Sequence, residues 1–211
     1  MIKEEILKYA KDHSSPESKV LFQLNRDTHL KMVHPRMISG HLQGKFLEMV
    51  SSMIRPFQVL EIGTFTGYSA ICLSKGLRLE GCIHTIEKNI EFKQMAMEAF
   101  KNEGIENLIS YYSGNAVDII PKIDEEFDLI YLDADKENYL NYYHLLFDKL
   151  KAGGFILADN ALWSGKVINE IHPKDKDTNG LIEFNDFVQQ DTRVENLLLP
   201  FRDGITMIRK L

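Results

Sequence analysis

The sequence predicts an α/β fold: a Rossmann-like, doubly wound and mostly parallel sheet with N-terminal helices and a C-terminal antiparallel hairpin. Three observations support this prediction. Apolar residues recur at helical spacing up to about residue 54, and short apolar runs alternate with amphipathic segments from Pro56 onward. Near the C-terminus, two apolar runs are joined by a short turn. Alternating strands and helices are typical of open parallel sheets with helices on both faces.

The individual elements follow from the same patterns. The clearest N-terminal helix is predicted over residues 41–54, and earlier apolar faces include Ile6 and Leu30. Predicted strands cover 59–62, 82–86, 108–112, 127–132 and 155–158, and the helices between them cover 70–74, 92–100 and 139–150. The hairpin pairs 196–199 with 205–208. Without a repeat or low-complexity linker, we expect one domain over 1–211, with 1–55 as a helical cap that belongs to it.

Composition and charge exclude several functional classes. The formal net charge is −6 and no long basic run is present, so nucleic acid is not an expected partner. No apolar stretch approaches the ~20 residues of a membrane span, and the first residues lack a secretory pattern. Cys72 and Cys82 are typical of small core residues in a reduced protein. We therefore expect a cytoplasmic protein without a membrane partner.

A glycine turn follows the first predicted strand. Residues 61–69 are Glu-Ile-Gly-Thr-Phe-Thr-Gly-Tyr-Ser, and glycines allow a tight turn and a close approach to a ligand. The spacing is G-x-x-x-G rather than the G-x-G-x-x-G of dinucleotide sites, and Ser69 occupies the third glycine position. This favours a ligand without a pyrophosphate. A glycine turn that binds nothing is the alternative.

Other strand ends supply further candidates, since ligands of such sheets bind at the carboxyl ends of the strands. Glu87 follows the second strand and can accept hydrogen bonds from ribose hydroxyls, or can be a surface glutamate that caps the next helix. Asp133, Asp159 and Asn160 follow the fourth and fifth strands. Such oxygen donors suit Mg²⁺, Mn²⁺ or Ca²⁺ better than zinc. Helix caps or a simple turn are the alternative for each residue taken alone.

Three motifs together resemble the caffeoyl-CoA and catechol O-methyltransferase family of class I S-adenosylmethionine-dependent enzymes. They are residues 59–69, 131–136 and 159–163, and the likeness extends from about Met37 to the C-terminus. The resemblance implies an S-adenosylmethionine-dependent and cation-dependent O-methyltransferase. Its acceptor would be a hydroxyl of a small vicinal aromatic diol of catechol, caffeoyl or flavonoid type. It also implies a homodimer and, as cofactors, S-adenosyl-L-methionine and a divalent cation, with Mg²⁺ favoured over Mn²⁺ or Ca²⁺.

Matching positions in the family imply the site residues. Glu87 would bind the ribose, Ala116 would border the adenine, and Asp133, Asp159 and Asn160 would bind the metal. The full cofactor-binding set is Met37, Ser39, Glu61, Gly63, Thr64, Phe65, Gly67, Ser69, Glu87, Asn115, Ala116, Asp133 and Asp135.

Lys136 and Asp133 are the predicted catalytic residues. A phenol has a pKa of ~10, and a bound cation would lower it. Lys136 would then take the proton, provided that its own pKa is lowered; a solvated loop lysine is the alternative. Residues 162–179 are predicted to form a polar loop over the acceptor, with Trp163 as an aromatic wall. Trp163 and Lys136 are the predicted substrate-binding residues.

Two rival functions use the same fold. An NAD-dependent oxidoreductase is disfavoured because the third glycine is missing. A non-catalytic nucleoside-binding module is disfavoured because mere binding requires neither the oxygen donors nor Lys136.

Overall fold

The computed structural model describes residues 3–169 and 172–211. The helices are α1 (Glu4–Asp12), α2 (Lys19–Lys31), α3 (Gly40–Ile54), α4 (Tyr68–Ser74), α5 (Lys93–Glu103), α6 (Ala116–Ile119), α7 (Tyr139–Lys149) and α8 (Lys176–Gln190). The strands are β1 (Gln58–Ile62), β2 (Cys82–Glu87), β3 (Ile109–Ser113), β4 (Phe127–Leu132), β5 (Leu150–Asp159), β6 (Val194–Leu199) and β7 (Ile205–Lys210). Within these ranges, no helix combines the length and the apolar character that crossing a membrane requires.

The strands are ordered β3-β2-β1-β4-β5-β7-β6 in one sheet. The β2–β3, β1–β4 and β4–β5 pairs are parallel, whereas β7 pairs antiparallel with both β5 and β6. The predicted fold class, a mostly parallel Rossmann-like sheet with a C-terminal antiparallel hairpin, is confirmed.

The chain divides into two compact units. The first comprises Met1–Gln58 and Gly63–Asn115, and the second comprises Val59–Ile62 and Ala116–Leu211. The single domain over 1–211 stays a prediction. Two predictions fall partly outside the described residues. The start of the chain, predicted to lack a secretory pattern, includes residues 1 and 2. The predicted acceptor loop includes residues 170 and 171.

In the first unit, helices α3 and α4 approach closely because position 44 is a glycine. A Cβ at Gly44 would lie 2.6 Å from a ring carbon of Tyr68 and 2.8 Å from Sγ of Cys72. Helix α2 buries Leu21, Leu24 and Thr28. Leu30, predicted on the same face, is instead exposed. It lies six residues after Leu24, which at 3.6 residues per turn is roughly 240° around the helix.

In the second unit, helix α8 is an element that the sequence reasoning missed. Residues 176–179 were expected to end a polar loop, but they form the first turn of this helix. The Asp175 side chain caps it by accepting a hydrogen bond from Thr178 N at 3.2 Å. Leu181, Phe184 and Val188 then give a buried face at helical spacing.

Strand β5 also differs from its prediction, which covered only residues 155–158. It begins at Leu150 and includes Gly153 and Gly154, which were expected to stop a helix. The pairing of β5 with β4 shifts register between Phe127 and Leu129, and the glycine pair lies in that irregularity. A bulge of this kind lets a strand absorb extra residues without ending. Helix α7 therefore ends one residue earlier than predicted, and β4 matches its prediction residue for residue.

Candidate functional site

The glycine turn of the first unit has an unusual backbone. Gly63 and Gly67 have φ angles of 98° and 91°, and Phe65 between them has 48°. Gly63 N donates to Ile86 O at 3.0 Å, which ties the turn to β2. A Cβ at Gly67 would lie 2.7 Å from the ring of Phe100. The left-handed conformation explains both glycines, and the close approach to Phe100 is a second reason at Gly67.

The carboxylate of Glu87 also holds this turn in place. Its Oε2 accepts a hydrogen bond from Phe65 N at 2.8 Å, and its Oε1 accepts one from Asn89 N at 2.8 Å. Glu87 is 7% exposed, so the alternative of a surface glutamate is wrong. The following 3₁₀ turn is capped by Asn89, which accepts from Glu91 N. Because a carboxylate offers about four acceptor positions, Glu87 can hold the turn and still accept bonds from a ligand.

Buried hydroxyl groups support the turn. Thr64 and Thr85 share a hydrogen bond of 2.5 Å between their Oγ1 atoms, and Thr28 Oγ1 donates to Thr66 Oγ1 at 3.1 Å. Since Thr28 belongs to α2, the N-terminal helical region helps to shape the turn. Ser69, in the first turn of α4, is also buried.

The remaining cofactor candidates of the first unit lie on two other segments. Met37 ends a short 3₁₀ turn and is exposed, whereas Ser39, just before α3, is buried. Asn115 is exposed after β3. Its neighbour Gly114 donates its N–H to Glu87 O at 2.9 Å, which places this segment beside the end of β2.

In the second unit, the predicted metal ligands lie at the ends of paired strands. Leu132 of β4 is opposite Ala158 of β5, so Asp133 and Asp159 follow directly paired residues at one edge of the sheet. Asp159 is buried; its Oδ2 accepts from the Tyr131 hydroxyl at 2.7 Å and its Oδ1 from Asn160 N at 2.8 Å.

Lys136 is buried beside these carboxylates. Its Nζ donates to Asp133 Oδ1 at 2.9 Å and to the Tyr139 hydroxyl at 2.8 Å. Burial lowers the pKa of Lys136. The charge of Asp133 and the Tyr139 hydroxyl raise it by more than burial lowers it, so the net pKa is above its ordinary value. The lowered pKa that would be needed for Lys136 to act as a base is therefore not found in this arrangement. The alternative of a solvated loop lysine is wrong as well, because Lys136 is 6% exposed.

Trp163 lies over the same cluster. Its ring centroid is 5.9 Å from Nζ of Lys136 and 5.9 Å from Nζ of Lys166. Its indole Nε1 is buried and has no hydrogen-bond partner within the described residues. The expected loop contains a 3₁₀ segment, Trp163–Ile168. Nζ of Lys166 lies 3.5 Å from Oδ2 of Asp175, just before α8.

Three further residues that were predicted to bind the cofactor belong to the second unit. Glu61 is fully buried in β1, and Ala116 is buried at the start of α6. Asp135 is held by α7, because its Oδ1 accepts from the Tyr142 hydroxyl at 2.9 Å. Burial and this carboxylate both raise the pKa of Tyr142.

The donor chemistry fits a hard cation. The described residues contain no group of three or more His, Cys, Asp and Glu side chains that could hold a metal. The predicted metal ligands differ from such a group, because they are two carboxylates, Asp133 and Asp159, and one amide, Asn160. Asn160 Nδ2 donates to Asp203 Oδ2 at 3.4 Å, so the amide nitrogen faces Asp203 and the oxygen is the atom available as a ligand.

A family model described as O-methyltransferase matches residues 11–211. The chain belongs to this O-methyltransferase family. Curated relatives include caffeoyl-CoA O-methyltransferase 1 of Eucalyptus globulus, 34% identical over 182 residues, which are 80% of this chain and 73% of that protein. The caffeoyl-CoA O-methyltransferase of Medicago sativa is 33% identical over 183 residues, with shares of 80% and 73%.

Solved O-methyltransferase structures match nearly the whole chain. TomG from Streptomyces achromogenes, in complex with SAM, has a TM-score of 0.92 at 26% identity and covers 100% of this chain and 99% of its own. The Bacillus cereus O-methyltransferase with SAH also has a TM-score of 0.92 at 26% identity, with shares of 98% and 97%. The predicted family and enzyme class, an S-adenosylmethionine-dependent O-methyltransferase, are confirmed. Both rival functions are therefore wrong.

Two tyrosines of this O-methyltransferase were missed by the sequence reasoning. Tyr131 binds Asp159, and the buried Tyr139 hydroxyl accepts from Lys136 and lies 3.0 Å from Asp159 O. Burial raises the pKa of Tyr139 above its ordinary value. The available signal was proximity in sequence, since Tyr131 precedes Asp133 by two residues and Tyr139 follows Lys136 by three.

Helix α8 supports the Lys136 segment through a close backbone contact. A Cβ at Gly180 would lie 2.7 Å from Lys136 O and 2.8 Å from Cα of Glu137. One turn later, the ring of Phe184 packs edge-on against Tyr139, with 5.5 Å between centroids. The glycine therefore lets α8 reach the segment that contains the buried lysine.

We expect Gly180→Ala to destabilise the protein although alanine normally favours a helix by ~0.5–1 kcal/mol. The added methyl group meets backbone atoms, and overpacking of this kind costs about 1–3 kcal/mol. Urea denaturation would measure the loss in the free energy of unfolding. Glu183→Ala, on the exposed face of the same helix, is the control and should change it by less than about 0.5 kcal/mol. Equal stability of the two variants would contradict the packing argument.

Proposed function

We propose that this O-methyltransferase uses a divalent cation, Mg²⁺ in the first place, to methylate one hydroxyl of a small vicinal aromatic diol. The acceptor would be of catechol, caffeoyl or flavonoid type. The observation behind this proposal is the buried Lys136, hydrogen-bonded to Asp133 at the end of β4, next to Asp159 and Asn160 at the end of β5. The names of the curated relatives, caffeoyl-CoA O-methyltransferases, support the acceptor class.

We propose that S-adenosylmethionine is held by the residues predicted from the sequence. In the first unit these are the glycine turn with Ser69, Glu87, Asn115, Met37 and Ser39; in the second they are Glu61, Ala116, Asp133 and Asp135. This cofactor has a ribose but no pyrophosphate, which suits a turn without the third glycine. Glu87 supports the ribose assignment because it is buried, charged and already fixed by two backbone N–H groups. The SAM and SAH bound in TomG and in the Bacillus cereus enzyme support the cofactor itself.

On the acceptor side, Lys136 would take the proton of the attacking hydroxyl and Trp163 would pack against the aromatic ring. When bound, a cation at Asp133, Asp159 and Asn160 would lower the acceptor's pKa and compete with Lys136 for the charge of Asp133. Because the charge of Asp133 raises the pKa of Lys136, engagement of that charge by a cation would favour the neutral, basic form of the lysine. Tyr139 keeps the ammonium group in place by accepting its second hydrogen bond.

We further propose a cytoplasmic homodimer. Two free cysteines, the buried Cys72 and the half-buried Cys82, agree with a reducing compartment. In the first unit, α1 and α2 leave large apolar side chains such as Tyr9 and Phe22 more than half exposed. Exposed apolar surface of this kind is typical of an interface between proteins.

Removal of divalent cations should abolish methyl transfer. The oxygen donors Asp133, Asp159 and Asn160 would lose the ion that activates the acceptor, whereas the glycine turn and Glu87 would still bind S-adenosylmethionine. Activity with a catechol, measured by transfer of a labelled methyl group after chelation, should return on addition of Mg²⁺ or Mn²⁺. Full activity in excess chelator, with the metal shown to be absent, would rule out cation dependence.

Glu87→Ala should weaken S-adenosylmethionine binding more than it slows turnover. Charge-assisted hydrogen bonds to a carboxylate contribute ~1.5–3 kcal/mol, which corresponds to roughly a 10- to 150-fold weaker affinity. Calorimetric titration measures this affinity, and turnover at saturating cofactor should change much less. Glu106→Ala, at an exposed position of the same unit, is the matched control. An unchanged cofactor affinity of Glu87→Ala would remove Glu87 from the cofactor site.

Lys136→Ala should lower turnover by about 10²–10⁴-fold, the usual contribution of positioned acid–base catalysis. Cofactor affinity should stay near that of the parent. Lys166→Ala is the matched control, since both ammonium groups lie 5.9 Å from the Trp163 ring but the Lys166 side chain is 56% exposed. At raised pH the acceptor, with a pKa of ~10, ionises without help, so Lys136→Ala should recover relative to the parent. Near-parental turnover at neutral pH would exclude Lys136 as the base.

A further inference from the structure

The turn between β6 and β7 holds the segment that follows Asp159. Asp203 Oδ2 accepts from Asn160 Nδ2 at 3.4 Å, and Asp203 Oδ1 accepts from the backbone N–H of Ser164. The backbone adds two bonds: Ala161 N donates to Gly204 O at 3.0 Å, and Leu162 N donates to Asp203 O at 2.9 Å. Residues 160–164 are thus attached to this turn by four hydrogen bonds.

The segment requires such support because its backbone is unfavourable. Asn160, Trp163 and Ser164 all have positive φ angles, of 60°, 46° and 54°. Residues with a side chain adopt this left-handed conformation rarely and keep it only where surrounding contacts impose it. The Asp203 carboxylate accepts one hydrogen bond from the side chain of Asn160 and one from the backbone N–H of Ser164.

The β6–β7 turn can approach this closely because position 204 is a glycine. A Cβ at Gly204, whose φ is 88°, would lie 2.6 Å from Cγ and 2.7 Å from N of Leu162. The contact between the turn and residues 160–164 therefore depends on the backbone of both segments.

The chemistry of Asp203 also determines how the Asn160 side chain is oriented. An ionised carboxylate only accepts hydrogen bonds, whereas an amide has one donor end and one acceptor end. Because the partner is acceptor-only, the amide nitrogen must face Asp203 and the amide oxygen must face away. An asparagine at position 203 would accept either orientation of the Asn160 amide.

We propose that Asp203 is a positioning residue with two effects: it presents the amide oxygen of Asn160 as a cation ligand, and it fixes Trp163 through the Ser164 backbone. This rests on the proposed function, since it assigns a role toward the cation and toward the acceptor ring. Asp203 lies 43 residues after Asn160 in the sequence, outside the three motifs that predict the site. In this role Asp203 acts through residues 160–164, to which it is hydrogen-bonded.

The test compares the parent with Asp203→Asn, which keeps the size of the side chain but removes its acceptor-only character. Two readouts besides activity are direct: the affinity for Mn²⁺, from electron paramagnetic resonance titration, and the fluorescence of Trp163, the one tryptophan in the chain. Outer-shell substitutions of this type weaken metal binding by roughly 10- to 100-fold, and we expect a loss in that range with a shifted tryptophan emission. Asp124→Asn, exposed in the same unit, is the matched control and should change neither readout.

A second variant tests orientation separately from stability. In the pair Asp203→Asn with Asn160→Asp, the amide at position 203 donates to the carboxylate at position 160, whose second oxygen again faces the cation. This double variant should regain most of the Mn²⁺ affinity lost in Asp203→Asn. Asn160→Asp alone is the reference, because a carboxylate at position 160 can strengthen cation binding by itself. If Asp203 only stabilised the turn, Asn160→Asp would change the Mn²⁺ affinity equally in the parent and in Asp203→Asn.

The outcomes separate this inference from the proposed function. If the parent binds Mn²⁺ and Asp203→Asn binds it equally well with unchanged tryptophan emission, the role of Asp203 is overturned and cation dependence stands. A double variant that binds no more tightly than Asp203→Asn would also overturn it. If the parent itself binds no Mn²⁺, the proposed cation site fails, and the role of Asp203 toward it fails with it.

Discussion

The ion pair between the buried Lys136 and the half-buried Asp133 is the constraint on which the arrangement at the ends of β4 and β5 depends. A buried ammonium group is costly unless it is paired and hydrogen-bonded, and here Asp133 supplies the charge and Tyr139 a further acceptor. Tyr139 in turn lies within hydrogen-bond distance of the backbone at the ends of β4 and β5. The lysine is therefore fixed by the same strand ends that hold the candidate metal ligands.

The first unit fixes a charge by a different route. Glu87 has no cationic partner among its described hydrogen bonds; two backbone N–H groups hold its carboxylate instead. One of them belongs to Phe65, whose left-handed backbone is part of the glycine turn. The charge and the unfavourable turn thus stabilise each other, and the two backbone N–H groups hold the carboxylate in one position.

Elements with a simple local pattern could be predicted from the sequence, and those that depend on distant partners could not. Strand β4 was predicted residue for residue because its apolar run is bounded by polar residues, and the three strand-end motifs identified the family. Helix α8 was missed because its capped first turn is polar and resembles a loop. The raised pKa of Lys136 follows from its hydrogen bonds to Asp133 and Tyr139; the sequence shows that these residues are close along the chain, but not that their side chains meet.

The last strand of the chain does not lie at an edge of the sheet. Strand β7 pairs with β5 on one side and β6 on the other, and Ile205 and Ile208 are completely buried. During synthesis, residues 160–164 therefore leave the ribosome well before the turn that holds them. At ~5–20 residues per second, the 43 residues from 161 to 203 take roughly 2–9 s to make. The four hydrogen bonds between residues 160–164 and the β6–β7 turn can therefore form only after this interval, once the turn itself has been made.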